Sequence, residues 1–189
     1  MKKFELTSEF ITNIFGTKLF RIKALIEFGN VKAGELGGFV EKEENLNHEG
    51  NAWVYGNAEV YGNARVYGNA WVYGNVEVYG NARVYGNASV YGNASVYGNA
   101  WVYGNARVCD DARVYGNADY ATVHGFGSEY RTTTFFKTKA GEIGVRCGCF
   151  YGNLSEFRKK VVETHGETKK AKEYLMLADL MEFRFSDNS

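Results

Sequence analysis

Residues 50–119 read GNAWVYGNAEVYGNARVYGNAWVYGNVEVYGNARVYGNASVYGNASVYGNAWVYGNARVCDDARVYGNAD, a repeat of six residues without insertion or deletion. Valine occupies every sixth position from Val54 to Val114, and alanine lies two residues earlier everywhere except at Val76. In a strand, this alternation turns alanine and valine to one side and the variable residue and tyrosine to the other. A helix is excluded, because a six-residue period would spread the valines around its surface. Each Gly-Asn pair predicts a tight corner, so the stretch predicts short strands wound into a solenoid.

The composition of the whole chain, 189 residues long, excludes several classes of protein. Its 22 basic and 22 acidic side chains give no net charge, whereas proteins that grip duplex DNA carry a basic excess. Hydrophobic residues make up 45%, too many for a disordered chain, yet no apolar run approaches the roughly 20 residues that span a bilayer. Glu5 and Glu9 interrupt any signal peptide that Lys2 and Lys3 could begin. We therefore expect a soluble, cytoplasmic protein of one domain that engages no membrane.

The pattern V-Y-G-N-A-x resembles the hexapeptide repeat of left-handed parallel β-helices, in which three hexads make one triangular turn. The resemblance implies a mainly β protein with a left-handed coil of about four turns. The left hand rests on the resemblance alone, because parallel crossovers are otherwise almost always right-handed. The flanks MKKFELT, FRIKALIEFGNVKAGELGGFVEKEENL and TTTFFKTKAGEIGVRCGCFYGNLSEFRKKVVETHG resemble phage and prophage proteins related to the YdcK-like transferases. That likeness implies a phage or prophage origin, but a fold does not imply a function.

The flanking segments predict a structure at each end of the coil. Residues 1–45 alternate in the manner of strands and hold a glycine-rich loop over 34–38. Residues 130–138 and 143–151 predict a hairpin, and Asn153 with Glu156 predicts the start of a helix. A second helix is predicted at about 167–183. We expect both flanks to cover the open backbone of the coil ends. The predicted parts are a β-rich cap at 1–49, the repeat at 50–119, and a hairpin with two helices (ββαα) at 120–189.

A turn of three hexads sorts the variable, outward residues into three columns one rung, about 4.8 Å, apart. We expect Trp53 to stack on Trp71, and Glu59 to lie against Glu77 with like charge. The tyrosines form parallel columns of their own. These columns support the thin coil or offer a flat wall to a partner, and the sequence leaves both readings open. The variable columns are Trp53, Trp71, Ser89, Arg107; Glu59, Glu77, Ser95, Arg113; and Arg65, Arg83, Trp101, Asp119.

A regular wall of aromatic and charged residues favours a non-enzymatic binding or scaffold protein. Together with the phage-type resemblance, it predicts engagement of a host factor, with inhibition of a host defence system as one role. Exposed aromatic columns also predict a homo-oligomer, a dimer or a trimer. Basic residues on the predicted helices add charge for an acidic protein surface or, alternatively, for a nucleotide or single-stranded nucleic acid. The candidate binding residues are Trp53, Trp71, Trp101, Arg65, Arg83, Lys169 and Lys170.

An acyl-coenzyme A-dependent acyltransferase is the enzymatic alternative, because the resemblance extends to enzymes that use a histidine as general base. His48 before the repeat and His124 after it are the candidates for that role. The repeat lacks the inserted loop that often carries substrate contacts in such enzymes, which favours a scaffold without a cofactor. Cys147 and Cys149 form a lone C-x-C without a second cysteine pair, so we predict no metal site.

Overall fold

The computed structural model describes residues 1–127 and 129–186. Two α-helices follow a chain of eighteen strands, and a short 3₁₀ helix at Glu43–Asn45 precedes the repeat. The helices are α1 (Leu154–His165) and α2 (Lys169–Phe185). The strands are β1 (Phe4–Thr12), β2 (Lys18–Ala24), β3 (Leu36–Val40), β4 (Trp53–Val54), β5 (Glu59–Val60), β6 (Arg65–Val66), β7 (Trp71–Gly74), β8 (Glu77–Val78), β9 (Arg83–Val84), β10 (Ser89–Gly92), β11 (Ser95–Val96), β12 (Trp101–Val102), β13 (Arg107–Val108), β14 (Arg113–Val114), β15 (Tyr120–Phe126), β16 (Arg131–Lys137), β17 (Ile143–Cys147) and β18 (Phe150–Asn153).

The repeat forms a β-solenoid of about four turns, as predicted. Its strands pair in parallel with the strand one turn later, which gives the sheet orders β4-β7-β10-β13, β6-β9-β12 and β5-β8-β11-β14. Val54, Val72, Val90 and Val108 follow one another in register, so the predicted valine column is confirmed. These valines and the alanines beside them are fully buried, and they fill the narrow interior of the coil.

The corners of the coil depend on residues that accept a left-handed backbone. Gly62 has φ +69°, and a Cβ there would approach the backbone of Gly80 on the next turn to 3.2 Å. Asp110 stands where the repeat has glycine and adopts φ 54°, which aspartate tolerates better than most side chains. Asparagine amides add a ladder along each corner. In one of them, the side chain of Asn63 donates to the amide oxygen of Asn81 at 3.2 Å.

The coil continues past the boundary predicted at residue 50. Strand β3 lies parallel to β5, with Phe39 opposite Glu59 and Val40 opposite Val60. Gly38 stands in the place of the repeat's alanine, and a Cβ there would come within 2.6 Å of the carbonyl oxygen of Ala58. The glycine-rich loop predicted over 34–38 is therefore wrong in part, because Gly37 and Gly38 lie buried in a strand.

Two buried polar side chains close the N-terminal end of the solenoid. The Lys3 ammonium donates to the carbonyl oxygens of Ala52 at 2.9 Å and Gly50 at 3.3 Å. Burial lowers the pKa of Lys3 to about 8. On a neighbouring corner, the amide of Asn45 donates to the carbonyl oxygen of Ala64 at 2.9 Å. No preceding turn of the coil supplies N–H groups to these carbonyl oxygens, so side chains satisfy them instead.

A second, antiparallel sheet of order β15-β16-β17-β18 closes the other end of the solenoid. The predicted hairpin is present as β16 and β17, but the segment 143–151 is not one strand, because the chain turns between Cys147 and Phe150 and begins β18. The sequence also did not predict β15 as a strand. Phe136 on β16 is fully buried and belongs to the same core as the coil valines. Its neighbour Phe135 points to the opposite side, into the core beneath the helices. This sheet therefore joins the end of the coil to the helical pair.

The two predicted helices pack side by side on the outer side of this sheet. Asn153 caps α1 and exchanges hydrogen bonds with Glu156, which confirms the predicted capping box. The guanidinium of Arg158 joins the helices through Asp179 at 2.8 Å and Glu182 at 2.7 Å. Within residues 1–127 and 129–186, neither helix has the length and apolar character needed to cross a bilayer.

Candidate functional site

The structure corrects the prediction for Trp53, which is not an exposed binding residue. Its side chain is fully buried, because the N-terminal segment folds over the first strand of its sheet. The rings of Phe28 and Phe4 meet it edge-on at 5.3 Å and 6.2 Å between centroids. The predicted stack on Trp71 is also wrong, since the ring of Tyr55 lies between the two indoles at 6.4 Å and 5.6 Å.

The open side of the coil is the outer surface of the β6-β9-β12 sheet, which we call the Arg–Tyr face. Arg65 and Arg83 are exposed on it, and Trp101 and Tyr103 are 41% and 51% exposed. The Arg83 guanidinium lies 5.0 Å from the centre of the Trp101 ring, a cation–π contact. The face consists of Arg65, Arg83 and Trp101 in one column and Tyr67, Tyr85 and Tyr103 in the other.

The Arg–Tyr face combines a stacked tyrosine column with a column that carries two positive charges. Tyr67, Tyr85 and Tyr103 stack in parallel, with ring centroids 4.8 Å and 5.3 Å apart. Arg65 and Arg83 are register partners on adjacent strands. Among the ion pairs within the described part of the chain, none joins either arginine to a carboxylate. Two unneutralised guanidinium groups one rung apart attract an anionic group.

A recess lies at each end of the Arg–Tyr face. The N-terminal recess has a volume of about 520 Å³, and Glu43, His48, Arg65 and Tyr67 are among its lining residues. The C-terminal recess has about 590 Å³ and lies between the end of the coil and helix α2. Its lining residues include Tyr85, Trp101, Tyr103, Tyr120, Met181 and Arg184.

The C-terminal recess is held in place by hydrogen bonds to the backbone of Trp101. The Tyr120 hydroxyl donates to the Trp101 carbonyl oxygen at 2.6 Å. The Trp101 amide donates to the side chain of Asn117 at 2.8 Å. Burial raises the pKa of Tyr120 to about 12, so its phenol remains a donor near neutral pH. The aromatic surface is thus formed before any ligand arrives, which lowers the entropic cost of binding.

His48 serves the packing of the N-terminal end. Its Nδ1 accepts the backbone N–H of Lys3 at 3.2 Å, and its Nε2 lies 3.4 Å from the Glu43 carboxylate. Its ring also stacks on Phe4 at 4.4 Å. The ion pair with Lys2 and the bond to His48 hold the pKa of Glu43 below its usual value. Both ring nitrogens are occupied, so neither is free to take a proton from a substrate.

The remaining predicted residues are spread over the molecule. His124 is exposed on β15, where its Nδ1 lies 3.3 Å from the Thr132 hydroxyl. Trp71 is half-buried on a different sheet, beside Asn30, Tyr55 and Tyr73. Lys169 and Lys170 begin α2, about 22 Å along the helix from Arg184 at the C-terminal recess. Of the predicted binding residues, the structure brings together Arg65, Arg83 and Trp101.

Another outward column carries like charges, as predicted. Glu59 and Glu77 are register partners, and desolvation together with the Glu77 charge raises the pKa of Glu59 above its ordinary value of 4.5. The Tyr61 hydroxyl donates to Glu77 at 3.3 Å, which holds that carboxylate in place. The negative charge of Glu59 is therefore less favourable in the folded chain than in the unfolded chain.

We expect Glu59→Gln to raise the free energy of unfolding at pH 7 by about 0.5 kcal/mol, because it removes a like-charge contact between adjacent strands. A raised carboxyl pKa destabilises the fold above that pKa, and the penalty disappears as the pH falls through about 4.5. Urea unfolding at pH 7 and pH 4 measures the difference between variant and wild type. A variant that is no more stable than wild type at pH 7 would contradict this account.

Part of the coil is similar to a known repeat family. Residues 58–74, 78–92, 88–104 and 106–118 match the family described as the YdcK beta solenoid repeat. The coil is a β-solenoid repeat. No curated protein shows a significant match to the chain. The strands of the Arg–Tyr face all lie inside this β-solenoid, whereas the recesses also use the flanks outside the matched residues.

Sequence reasoning missed the parts of the site that the flanks supply. Tyr120 stands six residues after Val114, where the repeat would place valine, and its hydroxyl fixes the backbone of Trp101. Met181 and Arg184 belong to a helix far from Trp101 in sequence, and no spacing signal connects them. The one signal in the sequence was tyrosine in place of valine at position 120, because tyrosine is larger and carries a hydrogen-bond donor.

Proposed function

We propose that this β-solenoid is a non-enzymatic binding protein that holds a partner protein on the Arg–Tyr face. The observation that supports it is the pair of exposed, unneutralised arginines beside a rigid, stacked aromatic column on one open side of the coil. Aromatic residues and arginine dominate the energetically important centres of protein interfaces. The positive charge favours a partner with an acidic surface.

The biological setting is part of the same proposal. The flanks resemble phage and prophage proteins, so the partner would be a factor of the bacterial host, and the complex would inhibit a host defence protein. A preformed coil suits that role, since its surface loses little conformational entropy on binding. The partner's acidic group would lie between Arg65 and Arg83, and its apolar or planar groups would contact Trp101 and Tyr103.

A nucleotide or single-stranded nucleic acid is the second candidate ligand, and the C-terminal recess favours it. Trp101 and Tyr103 offer planar surfaces on which a base can stack. Arg83 and Arg184 lie near enough to these rings to contact a phosphate group, since Arg83 covers Trp101 and Arg184 lines the same recess. Binding of this kind would weaken steeply with salt, because phosphate contacts release counterions.

The positions of the two histidines give little support to the acyltransferase alternative. His48 lies in the N-terminal recess beside Glu43, but Nδ1 already accepts a backbone N–H, so the proton on Nε2 points at the carboxylate. His124 lies outside the residues that line the two recesses. A general base needs an unoccupied nitrogen within hydrogen-bond reach of the acceptor. Coenzyme A release that depends on His48 or His124 would contradict the binding proposal.

The proposal predicts that Arg83→Ala and Trp101→Ala each weaken partner binding by about 2 kcal/mol, roughly 30-fold in Kd. The wild-type chain, immobilised through its C-terminus, captures the partner from an extract of the bacterial host, and mass spectrometry identifies it. Binding of the purified partner to each variant is then measured by calorimetry. The melting temperature should change little, because both side chains point away from the valine interior.

Arg113→Ala is the matched control, since Arg113 is also exposed but lies on another side of the coil. It should bind the partner like wild type. Fluorescence anisotropy with a labelled oligothymidylate and with labelled ATP tests the second candidate in parallel. Binding of either probe that Trp101→Ala abolishes, in the absence of a protein partner, would favour the second candidate over the first. Capture that all three variants retain would place the binding surface elsewhere and overturn the proposal.

A further inference from the structure

Helix α2 has two apolar sides, and the rest of the chain covers only one of them. Tyr174, Ala178, Met181 and Phe185 are buried against the C-terminal sheet and α1. Met176, Leu180 and Phe183 are 70%, 53% and 68% exposed. At about 100° per residue these three side chains lie within about 60° of one another, opposite the buried side. We call them the outer apolar row of α2.

An exposed apolar row of this kind marks an interaction surface. We propose that its partner is a second copy of this chain, bound through antiparallel pairing of the two α2 helices. The inference is independent of the protein binding proposed for the Arg–Tyr face, whereas the nucleotide candidate would share Arg184 with it. It also differs from self-association through the aromatic columns, which the sequence predicts.

The spacing of the outer apolar row complements itself. Met176 and Phe183 are equally far from the midpoint between Asp179 and Leu180, so a two-fold axis at that midpoint places each Met176 against Phe183 of the second copy. Leu180 then lies close to its own counterpart beside the axis. Contact of a methionine sulfur with an aromatic ring is favourable, and an interface of this symmetry needs one surface that matches itself.

The charges beside the row are complementary in the same arrangement. Glu173 and Arg184 lie on the same flank of the row, and none of the ion pairs within the described residues involves either of them. Antiparallel pairing about the midpoint brings Glu173 to within about 3 Å, along the helix axis, of Arg184 of the second copy. Two equivalent ion pairs would therefore flank the apolar contact.

An arginine of the same chain partly screens the acidic group nearest the axis. Asp179 lies beside Leu180, and its carboxylate is bound by Arg158 of its own chain at 2.8 Å. The same guanidinium also binds Glu182 at 2.7 Å, so each cluster keeps one net negative charge, and the repulsion between the two copies weakens the dimer. Three apolar side chains and two ion pairs make a contact at the small end of specific interfaces, so we expect a dissociation constant on the order of 1–100 µM.

The test is sedimentation velocity of the full chain at concentrations from about 2 to 300 µM. Wild type should pass from monomer to dimer over this range, in line with the expected affinity. Leu180→Glu and Phe183→Glu should raise the dissociation constant at least tenfold, because each puts a carboxylate on the row. Val162→Glu is the matched control, since Val162 is 52% exposed on α1 but lies outside the row. Trp71→Ala should also dimerise like wild type.

A charge exchange tests the antiparallel register itself. Glu173→Arg should weaken the dimer because two arginines then meet across the interface. The double variant Glu173→Arg with Arg184→Glu should restore it, because the ion pairs form again with reversed sign. A wild-type chain that stays monomeric at 300 µM would overturn the proposal. So would a double variant that fails to recover, or a Leu180→Glu variant that dimerises like wild type.

Discussion

The variant Val78→Asp is expected to unfold the coil. Val78 is fully buried and lies in register between Val60 and Val96, so the new carboxylate would have no water and no cation within the valine column. An unpaired buried carboxylate costs several kcal/mol even after its pKa rises. That cost is comparable to the whole stability of a typical domain, about 5–15 kcal/mol. Circular dichroism should show loss of the cooperative thermal transition.

Ser89→Asp is the matched control, since it adds the same carboxylate at an outward position of the coil. Residue 89 lies in register beside Arg107, which can neutralise the new charge. We expect its melting temperature to stay within a few degrees of wild type. If Val78→Asp melted like Ser89→Asp, the assignment of valine to the interior would be wrong.

The register of the coil could be predicted from the sequence because every turn repeats the same six-residue pattern. Val54 to Val114, the glycine corners and the columns of tyrosine all follow from one six-residue pattern. The flanks carry no such repetition, so their contacts with the coil could not be derived. Trp53 and Trp71 occupy the same position of the repeat, yet only Trp53 is covered by Phe4 and Phe28.

The truncation Phe136→Ala is expected to lower the free energy of unfolding by about 3–5 kcal/mol. Its ring is fully buried at the C-terminal end of the coil core, and loss of a buried phenylalanine leaves a cavity that the rigid coil cannot fill. Phe136 is also the register partner of Tyr120, which fixes the backbone of Trp101. We therefore expect faster hydrogen exchange around Val102, Val108 and Val114, as well as lower stability in urea.

Two neighbouring residues provide the controls for this variant. Phe126→Ala changes a partly exposed ring on the same sheet and should cost less than about 1 kcal/mol. Phe135→Ala removes a buried ring on the other side of β16, so faster exchange should appear in α1 instead of in the coil. An equal cost for Phe126→Ala and Phe136→Ala would mean that Phe136 does not close the core.

One part of the candidate site, the column of the coil, could be predicted from the sequence, and the recess beside it could not. Arg65, Arg83 and Trp101 share a column because they are three hexads apart, and that much follows from the repeat. The recess beside Trp101 depends on α2, whose distance from the coil is fixed by packing of Phe157, Tyr174 and Met181 in a second core. Such long-range packing leaves no periodic signal in the chain.

The turn length of the coil restricts how the number of repeats can change during evolution. Register partners are 18 residues apart, so gain or loss of a whole turn keeps every column on its own side and only alters the distance between the flanks. Gain of a single hexad would instead rotate the C-terminal sheet and helices by a third of a turn relative to the N-terminal segment. The two recesses would then open on different sides, and no single partner could span both. Relatives that keep a two-recess surface should therefore differ in length by complete turns.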